Sequence, residues 1–172
     1  MRTYLAIALF LIAKTAFGIE AADKVVVIKS EKMLYLYKEG RVLASLPVVF
    51  GANPEGHKQQ EGDERTPEGS YRLDFKKPDS AYHKAIHISY PNTDDIASAR
   101  RRGVSPGGAV MIHGQRNGFA WAAPVMQDFN WTRGCIALSN EDMETVWHSV
   151  RPGTPIEIVP QAPKHSLQAQ RP

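Results

Sequence analysis

The sequence is short of cysteine, of long apolar runs and of surplus charge, and each shortage removes a class of explanation. A single cysteine, Cys135, among 172 residues excludes an internal disulfide framework and any multi-cysteine zinc site. The longest apolar run, residues 4–13 (YLAIALFLIA), is too short to span a bilayer and is closed by Lys14. Twenty-one Lys and Arg stand against 18 Asp and Glu. No basic stripe, zinc finger or RNP pattern accompanies that near balance, so nucleic acid is not an expected partner.

What the N-terminus does have is the layout of an export signal. Arg2 precedes the apolar run, and small residues follow at Ala16, Gly18, Ala21 and Ala22. Residues 1–22 are therefore expected to be a signal peptide cleaved near 18–22, with an uncleaved anchor as the alternative. Without a cysteine there to take a lipid, the mature chain is expected to be soluble, with no membrane span. Losing Arg2 and Lys14 lowers the basic count from 21 to 19 against 18 acids. Roughly 150 residues remain, enough for one domain with its own core. Outside the cytoplasm an unpaired thiol is open to oxidation, so keeping one points to a reactive role. The alternative is a small buried hydrophobe.

The mature chain reads as strand-rich. Residues 24–30 (KVVVIKS) form a β-branched run, and residues 33–37 and 42–50 flank Lys38-Glu39-Gly40-Arg41, a hairpin turn. Residues 51–69 hold almost no large apolar side chain. A loop of that length in a compact domain is functional or mobile, and its charges read as solvated, with Arg65 and Glu68 weak candidates for substrate contact. It ends in Thr66-Pro67-Glu68-Gly69, a type I turn by residue type. Further strands are expected at 71–75, 85–90, 109–113 and 154–159. A short helix is expected over 93–102, capped by Thr93, and a second begins after Ser139, where Met143, Val146, Trp147 and Val150 make one apolar face. Strands in runs without regular intervening helices argue against a parallel βαβ architecture. The expectation is a mainly β domain over residues 24–160 with two short helices, followed by a loose tail at 161–172.

Chemistry gathers around NWTRGCIALSN, residues 130–140. A free thiol at its unperturbed pKa of about 8.5 is only about 3% ionised at pH 7, and lowering that pKa by about two units raises the thiolate roughly 25-fold. A neighbouring cation or histidinium does this; Arg133 is two residues before Cys135, and His113 ends a strand upstream. Gly134 allows close backbone approach, and the amides of Gly134 and Cys135 are candidates for an oxyanion pocket. A histidine base needs its second ring nitrogen held, and a backbone carbonyl near Gly114 is the candidate.

Thr66-Pro67-Glu68-Gly69, Ile112-His113-Gly114 and Thr132-Arg133-Gly134-Cys135-Ile136 together resemble, in order and spacing, the bacterial L,D-transpeptidase catalytic domain, over roughly residues 24–160. The long polar loop and His87-Ile88-Ser89-Tyr90-Pro91 resemble a periplasmic, proteobacterial branch. The resemblance implies a β-sandwich-like fold and a cysteine acyltransferase of cell-wall biogenesis and cell shape, with no metal and no cofactor. Its substrate would be the peptidoglycan stem peptide, cut after the L-centre of meso-diaminopimelate to release D-alanine. The acyl group would then pass to an amine of another stem, to a wall-linked lipoprotein, or to water, and carbapenem-type inhibitors would acylate the same thiol. By position, Cys135 is the nucleophile and His113 the proton donor and acceptor. Thr132, Arg133, Gly134 and Gly114 frame the oxyanion and substrate, and His87 is a wall of the cleft. Ala137 departs from the family, where many members have arginine. Alternatives are a peptidoglycan amidase or L,D-carboxypeptidase using the same acyl-enzyme, and an inactive wall-binding module, which would not require His113 and Cys135 together.

His83 and His87 are four apart in a strand-like stretch, which does not make a metal pair. His57, His148 and His165 read as surface. The aromatics of residues 119–131 read mainly as core cover, with a lid over the acyl-enzyme as the alternative.

Overall fold

The strands follow from alternating apolar residues. In β1 (Lys24–Ile28) Val25 and Val27 turn inward while Lys24 stays outside, and β8 (Thr154–Val159) alternates likewise with Ile156 and Ile158 buried. β2 (Met33–Lys38) and β3 (Arg41–Pro47) pair antiparallel across Glu39-Gly40, both at positive φ. That is the two-residue hairpin expected from the sequence. These observations come from a computed structural model that describes residues 20–162. The expected signal peptide and nearly all of the expected tail lie outside the described residues. No helix among the described residues is long and apolar enough to cross a membrane.

With β4 (Gly69–Lys77), β5 (Ala85–Ile88), β6 (Met111–His113) and β7 (Ile136–Ala137), the strands form one curled eight-stranded sheet in the order β3-β2-β1-β8-β4-β5-β6-β7. Only β1–β8 and β6–β7 pair in parallel. The two expected helices are α1 (Thr93–Arg101) and α3 (Asn140–Ser149). Between them lies a further one-turn helix, α2 (Ala123–Met126), begun by Pro124 in its first turn. On α3 the predicted stripe is the buried one: Met143, Val146 and Val150 enter the core beside Leu34, Leu73, Ile112, Ile136 and Ile158. Ser139 caps it through the Asp142 amide. The α1 cap is Asn92 rather than Thr93. Its side chain accepts from the amides of Asp94 and Asp95 while the Asp95 carboxylate accepts from the Asn92 amide, a closed capping box.

The polar loop 51–69 is tied down at several points, while Glu55, Glu61 and Glu64 stay exposed as expected. The Gly51 amide donates to the buried Thr66 hydroxyl, 3.1 Å away, and residues 66–68 lead into β4 without the expected turn. Lys29, buried just after β1, reaches Glu68 at 2.7 Å and the Gly56 carbonyl at 2.8 Å. His57, expected on the surface, accepts from the Glu68 amide at Nδ1 and presents Nε2 to Asp95 at 3.0 Å. The side chains of Lys29 and Glu68 are only 5% and 18% exposed, so this ion pair has little solvent to replace either partner. Lys29→Met should therefore cost about 3 kcal/mol, because the Glu68 carboxylate is left uncompensated. Urea unfolding measures it, and a loss under about 1 kcal/mol would place the pair with screened surface bridges.

Candidate active site

Two short parallel strands set the site. In β6 and β7, Ile112 faces Ile136 and His113 faces Ala137. Continued back by one residue, this register puts Cys135 beside Met111. Side chains alternate along a strand, so Met111, His113, Cys135 and Ala137 share one face of the sheet. His113 and Cys135 are two residues apart along the strands and one strand apart across them. Standard sheet spacings then put their Cα atoms about 8 Å apart, close enough for an imidazole and a thiol to meet.

The turn before β7 is built by Thr132. Its buried hydroxyl donates to the Cys135 carbonyl at 2.7 Å and accepts from the Gly134 amide at 3.1 Å. The Gly134 N–H is thereby already used, which leaves the Cys135 N–H as the main-chain donor beside the sulfur. Gly134 has φ +121°, and a Cβ there would lie 2.6 Å from the Arg65 carbonyl oxygen. Only glycine fits. Cys135 itself is half-buried, with Sγ 3.4 Å from the Met111 amide and 3.9 Å from the Ala109 carbonyl.

His113 is buried, and its Nδ1 lies 2.7 Å from the Gly114 carbonyl. That contact requires a proton on Nδ1, so Nε2 carries the lone pair: the tautomer a base needs. The ring packs on Tyr82, with centroids 4.2 Å apart, and edge-on against Trp131 at 5.8 Å. Gly114 is held in turn by its amide bond to the His83 carbonyl, and a Cβ there would meet Asn140 Oδ1 at 2.7 Å. The carbonyl expected near Gly114 is thus the one that orients the imidazole, and the Gly114 N–H, expected among the oxyanion and substrate groups, is already donated to His83.

Burial pushes the Cys135 thiol above its usual range, opposed by the Met111 amide and the positive charge of Lys58. Burial also pushes His113 down, partly offset by the Gly114 carbonyl. The expected lowered thiol pKa is therefore not what the surroundings produce, because desolvation outweighs the nearby cation. At neutral pH the pair rests as thiol and neutral imidazole. The cation acting on the sulfur is Lys58 and not Arg133. Lys58 is buried, and its Nζ bonds Asp63 Oδ1 at 2.7 Å and the Gln60 carbonyl at 3.0 Å. No local signal in the sequence marks Lys58 or Tyr82.

His87 shares the sheet face, opposite Met111, but Met111 separates it from Cys135. Its Nδ1 is 2.7 Å from Asp74 and its ring stacks on Phe75. His83 pairs with Glu144 at 2.6 Å and His148 with the same carboxylate at 3.3 Å. The aromatics of residues 119–131 mostly face solvent: Phe119, Trp121 and Phe129 are 48%, 77% and 48% exposed, and Trp131 is the one packed on His113. They are not core cover: neither the 3-10 turn Ala120–Ala122 that carries Trp121 nor the following α2 buries a residue.

A curled sheet that sets a lone cysteine and a tautomer-fixed histidine on adjacent parallel strands defines a cysteine-centred domain, and the comparisons with known proteins agree with it. The YkuD model, the L,D-transpeptidase catalytic domain, matches residues 22–158. The chain belongs to that family. It is 30% identical over 130 residues to YafK of Escherichia coli K12, an L,D-transpeptidase candidate by name, which covers 72% of this chain and 45% of YafK. The helical cell shape determining protein Pgp2 of Campylobacter jejuni superposes with a TM-score of 0.63 at 26% identity, over 85% of this chain and 52% of Pgp2. The L,D-transpeptidase LdtMt1, solved in complex with imipenem, shares the fold at TM-score 0.51 and 20% identity, over 79% of this chain and 58% of that one. The chain spans about half the length of YafK and Pgp2.

Lys58→Gln removes the one charge that favours the thiolate. The pH midpoint for alkylation of Cys135 by iodoacetamide should move upward and the rate at pH 8 should fall severalfold. An unchanged or lower midpoint would take Lys58 out of the electrostatics of the sulfur.

Proposed function

We propose that this domain is an exported, periplasmic peptidoglycan L,D-transpeptidase that works through a Cys135 acyl-enzyme on stem peptides containing meso-diaminopimelate. Membership of the family supports a peptidoglycan-modifying enzyme. The observation that carries the finer reading is the His113 Nδ1 contact with the Gly114 carbonyl, which leaves Nε2 as a base on the face that bears the thiol.

In this reading the resting pair is uncharged, and the proton moves as the bond forms. His113 Nε2 takes the Sγ proton while the sulfur adds to the carbonyl carbon after the L-centre of diaminopimelate. The carbonyl oxygen becomes an oxyanion next to the Cys135 N–H. Collapse restores the carbonyl and breaks the C–N bond, and the imidazolium gives its proton to the departing D-alanine amine. The thioester then meets an incoming amine, whose proton goes to His113. The new amide forms, the sulfur leaves, and the same proton returns to it. Starting from a neutral pair suits this cycle, since the base is ready before substrate arrives and charge develops only in the transition state.

Incubation with a tetrapeptide stem or a carbapenem should add covalent mass at Cys135, and Cys135→Ala should abolish this with little change in melting temperature. No adduct would favour an inactive wall-binding module. Muropeptide analysis of treated wall then separates the outcomes of the thioester: new 3–3 cross-links mean transfer to an amine, and shortened stems or released wall-bound protein mean hydrolysis.

His113→Gln should slow acylation at neutral pH on the order of 10²-fold. Because burial lowers the His113 pKa from its ordinary 6.5, the neutral base persists as pH falls. The acid limb of the acylation rate should therefore lie below pH 6.5. A limb above that value would assign the base to another group.

A further inference from the structure

Just past His113 the chain is tied through its main chain. The Gly114 N–H donates to the His83 carbonyl at 3.0 Å, the Gln115 carbonyl accepts from the His83 N–H at 2.8 Å, and the His113 carbonyl accepts from the Leu138 N–H at 2.9 Å. The Gln115 N–H instead donates to a side chain, Asn140 Oδ1, at 2.8 Å. That N–H and the Gly114 carbonyl belong to one peptide group, and the Gly114 carbonyl is the acceptor 2.7 Å from His113 Nδ1. Imidazole, peptide and carboxamide are therefore joined in one chain of hydrogen bonds. Asn140 is the first residue of α3, and the helix fixes its place: Ser139 caps it on the Asp142 amide, and Met143 and Val146 are buried. One turn on, Glu144 pairs with His83 at 2.6 Å. The residue whose main chain brackets Gly114 and Gln115 is thus held by the same helix. A Cβ on Gly114 would lie 2.7 Å from Asn140 Oδ1, so the carboxamide sits directly against this peptide.

Resting on the acyl-enzyme reading, in which His113 is the base, we infer that Asn140 is a positioning residue for His113, acting through the Gly114–Gln115 peptide. A peptide group that donates its N–H becomes a better acceptor at its carbonyl, because hydrogen bonds in a chain polarise one another. The Asn140 bond therefore strengthens the contact that keeps a proton on Nδ1 and the lone pair on Nε2. It also sets direction. The peptide is planar, so holding its N–H fixes where the carbonyl on the other side points. Without the acceptor, the N–H of the buried Gln115 is left unpaired, and the peptide tilts toward another partner, taking its carbonyl away from the imidazole. The Gln115 side chain cannot take over, since its Nε2 is engaged with the Leu138 carbonyl at 2.8 Å. A carboxamide is neutral, so it orders the peptide without adding a negative charge that would hold His113 as imidazolium.

The tautomer of His113 tests this by histidine-selective nitrogen NMR, with its signals assigned by their loss in His113→Gln. The unmodified protein should show one tautomer, protonated at Nδ1. Asn140→Leu, similar in size but without an acceptor, should show both. Its kcat/KM for acylation of Cys135 by a tetrapeptide stem should fall about tenfold, the factor one net hydrogen bond carries. Asn140→Asp keeps an acceptor of the same shape and suits the first turn of a helix, so it should keep the single tautomer and most of the rate. It should also raise the pH at which the ring takes its second proton, because a carboxylate favours imidazolium; this readout holds whether or not Asn140→Leu folds. Ser139→Ala controls for a merely structural role: it loosens the start of α3, keeps the Asn140 acceptor, and should retain the single tautomer. A single Nδ1-protonated form in Asn140→Leu would overturn the assignment. So would an equal mixture of tautomers in Ser139→Ala, or an unmoved protonation midpoint in Asn140→Asp. The acyl-enzyme reading fails separately: if no stem or carbapenem acylates the unmodified protein while the tautomers respond as described, that reading falls and the role of Asn140 stands.

Discussion

The hydrogen bond from His113 Nδ1 to the Gly114 carbonyl is the constraint on which the site depends. It joins two consecutive residues, so it cannot drift with loop or domain motion, and it settles which ring nitrogen is bare. Everything around it keeps that carbonyl in place: Gly114 is held by the His83 carbonyl, Asn140 leaves no room for a side chain there, and Tyr82 covers the ring. A carboxylate partner would have stabilised an imidazolium. A neutral carbonyl does so only weakly, so burial still lowers the His113 pKa.

That choice has an electrostatic counterpart at the sulfur. Desolvation raises the thiol pKa, and Lys58 and the Met111 amide only moderate the effect. A preformed thiolate in this position would be reactive toward oxidants, whereas a protonated thiol is far less so. In the mechanism proposed above, reaction waits for the imidazole, and the parallel β6–β7 register holds both groups on one face. The loop 51–69 supplies the moderating cation. Its anchoring by Lys29, His57 and Thr66 explains how a segment with almost no large apolar residue keeps Lys58 at a fixed place behind Gly134.

Local patterns in the chain foretold a good deal. The β2–β3 turn at Glu39-Gly40, the apolar stripe of α3 and its Ser139 cap all depend on residues a few positions apart, and all are present as expected. The sequence also singled out Cys135, His113 and the carbonyl near Gly114. The charged loop was misjudged where its partners lie far along the chain: Lys29 meets Glu68, and His57 meets Asp95. The aromatics of residues 119–131 were misjudged for the converse reason. Their bulk suggests burial, but the short helical turns between residues 120 and 126 bury nothing, and Phe119, Trp121 and Phe129 stay exposed.

By itself the sequence determined which groups are available and the local geometry around them: a lone thiol after a glycine, a histidine before a glycine, strands by alternation and helices by caps. Short-range sterics and hydrogen bonds decide these, and they are written in neighbouring residues. Tertiary structure alone decided that the thiol would be less acidic rather than more, and that Lys58 would be its neighbouring cation. Desolvation and charge proximity depend on what folding packs around a group, and no spacing along the chain records that.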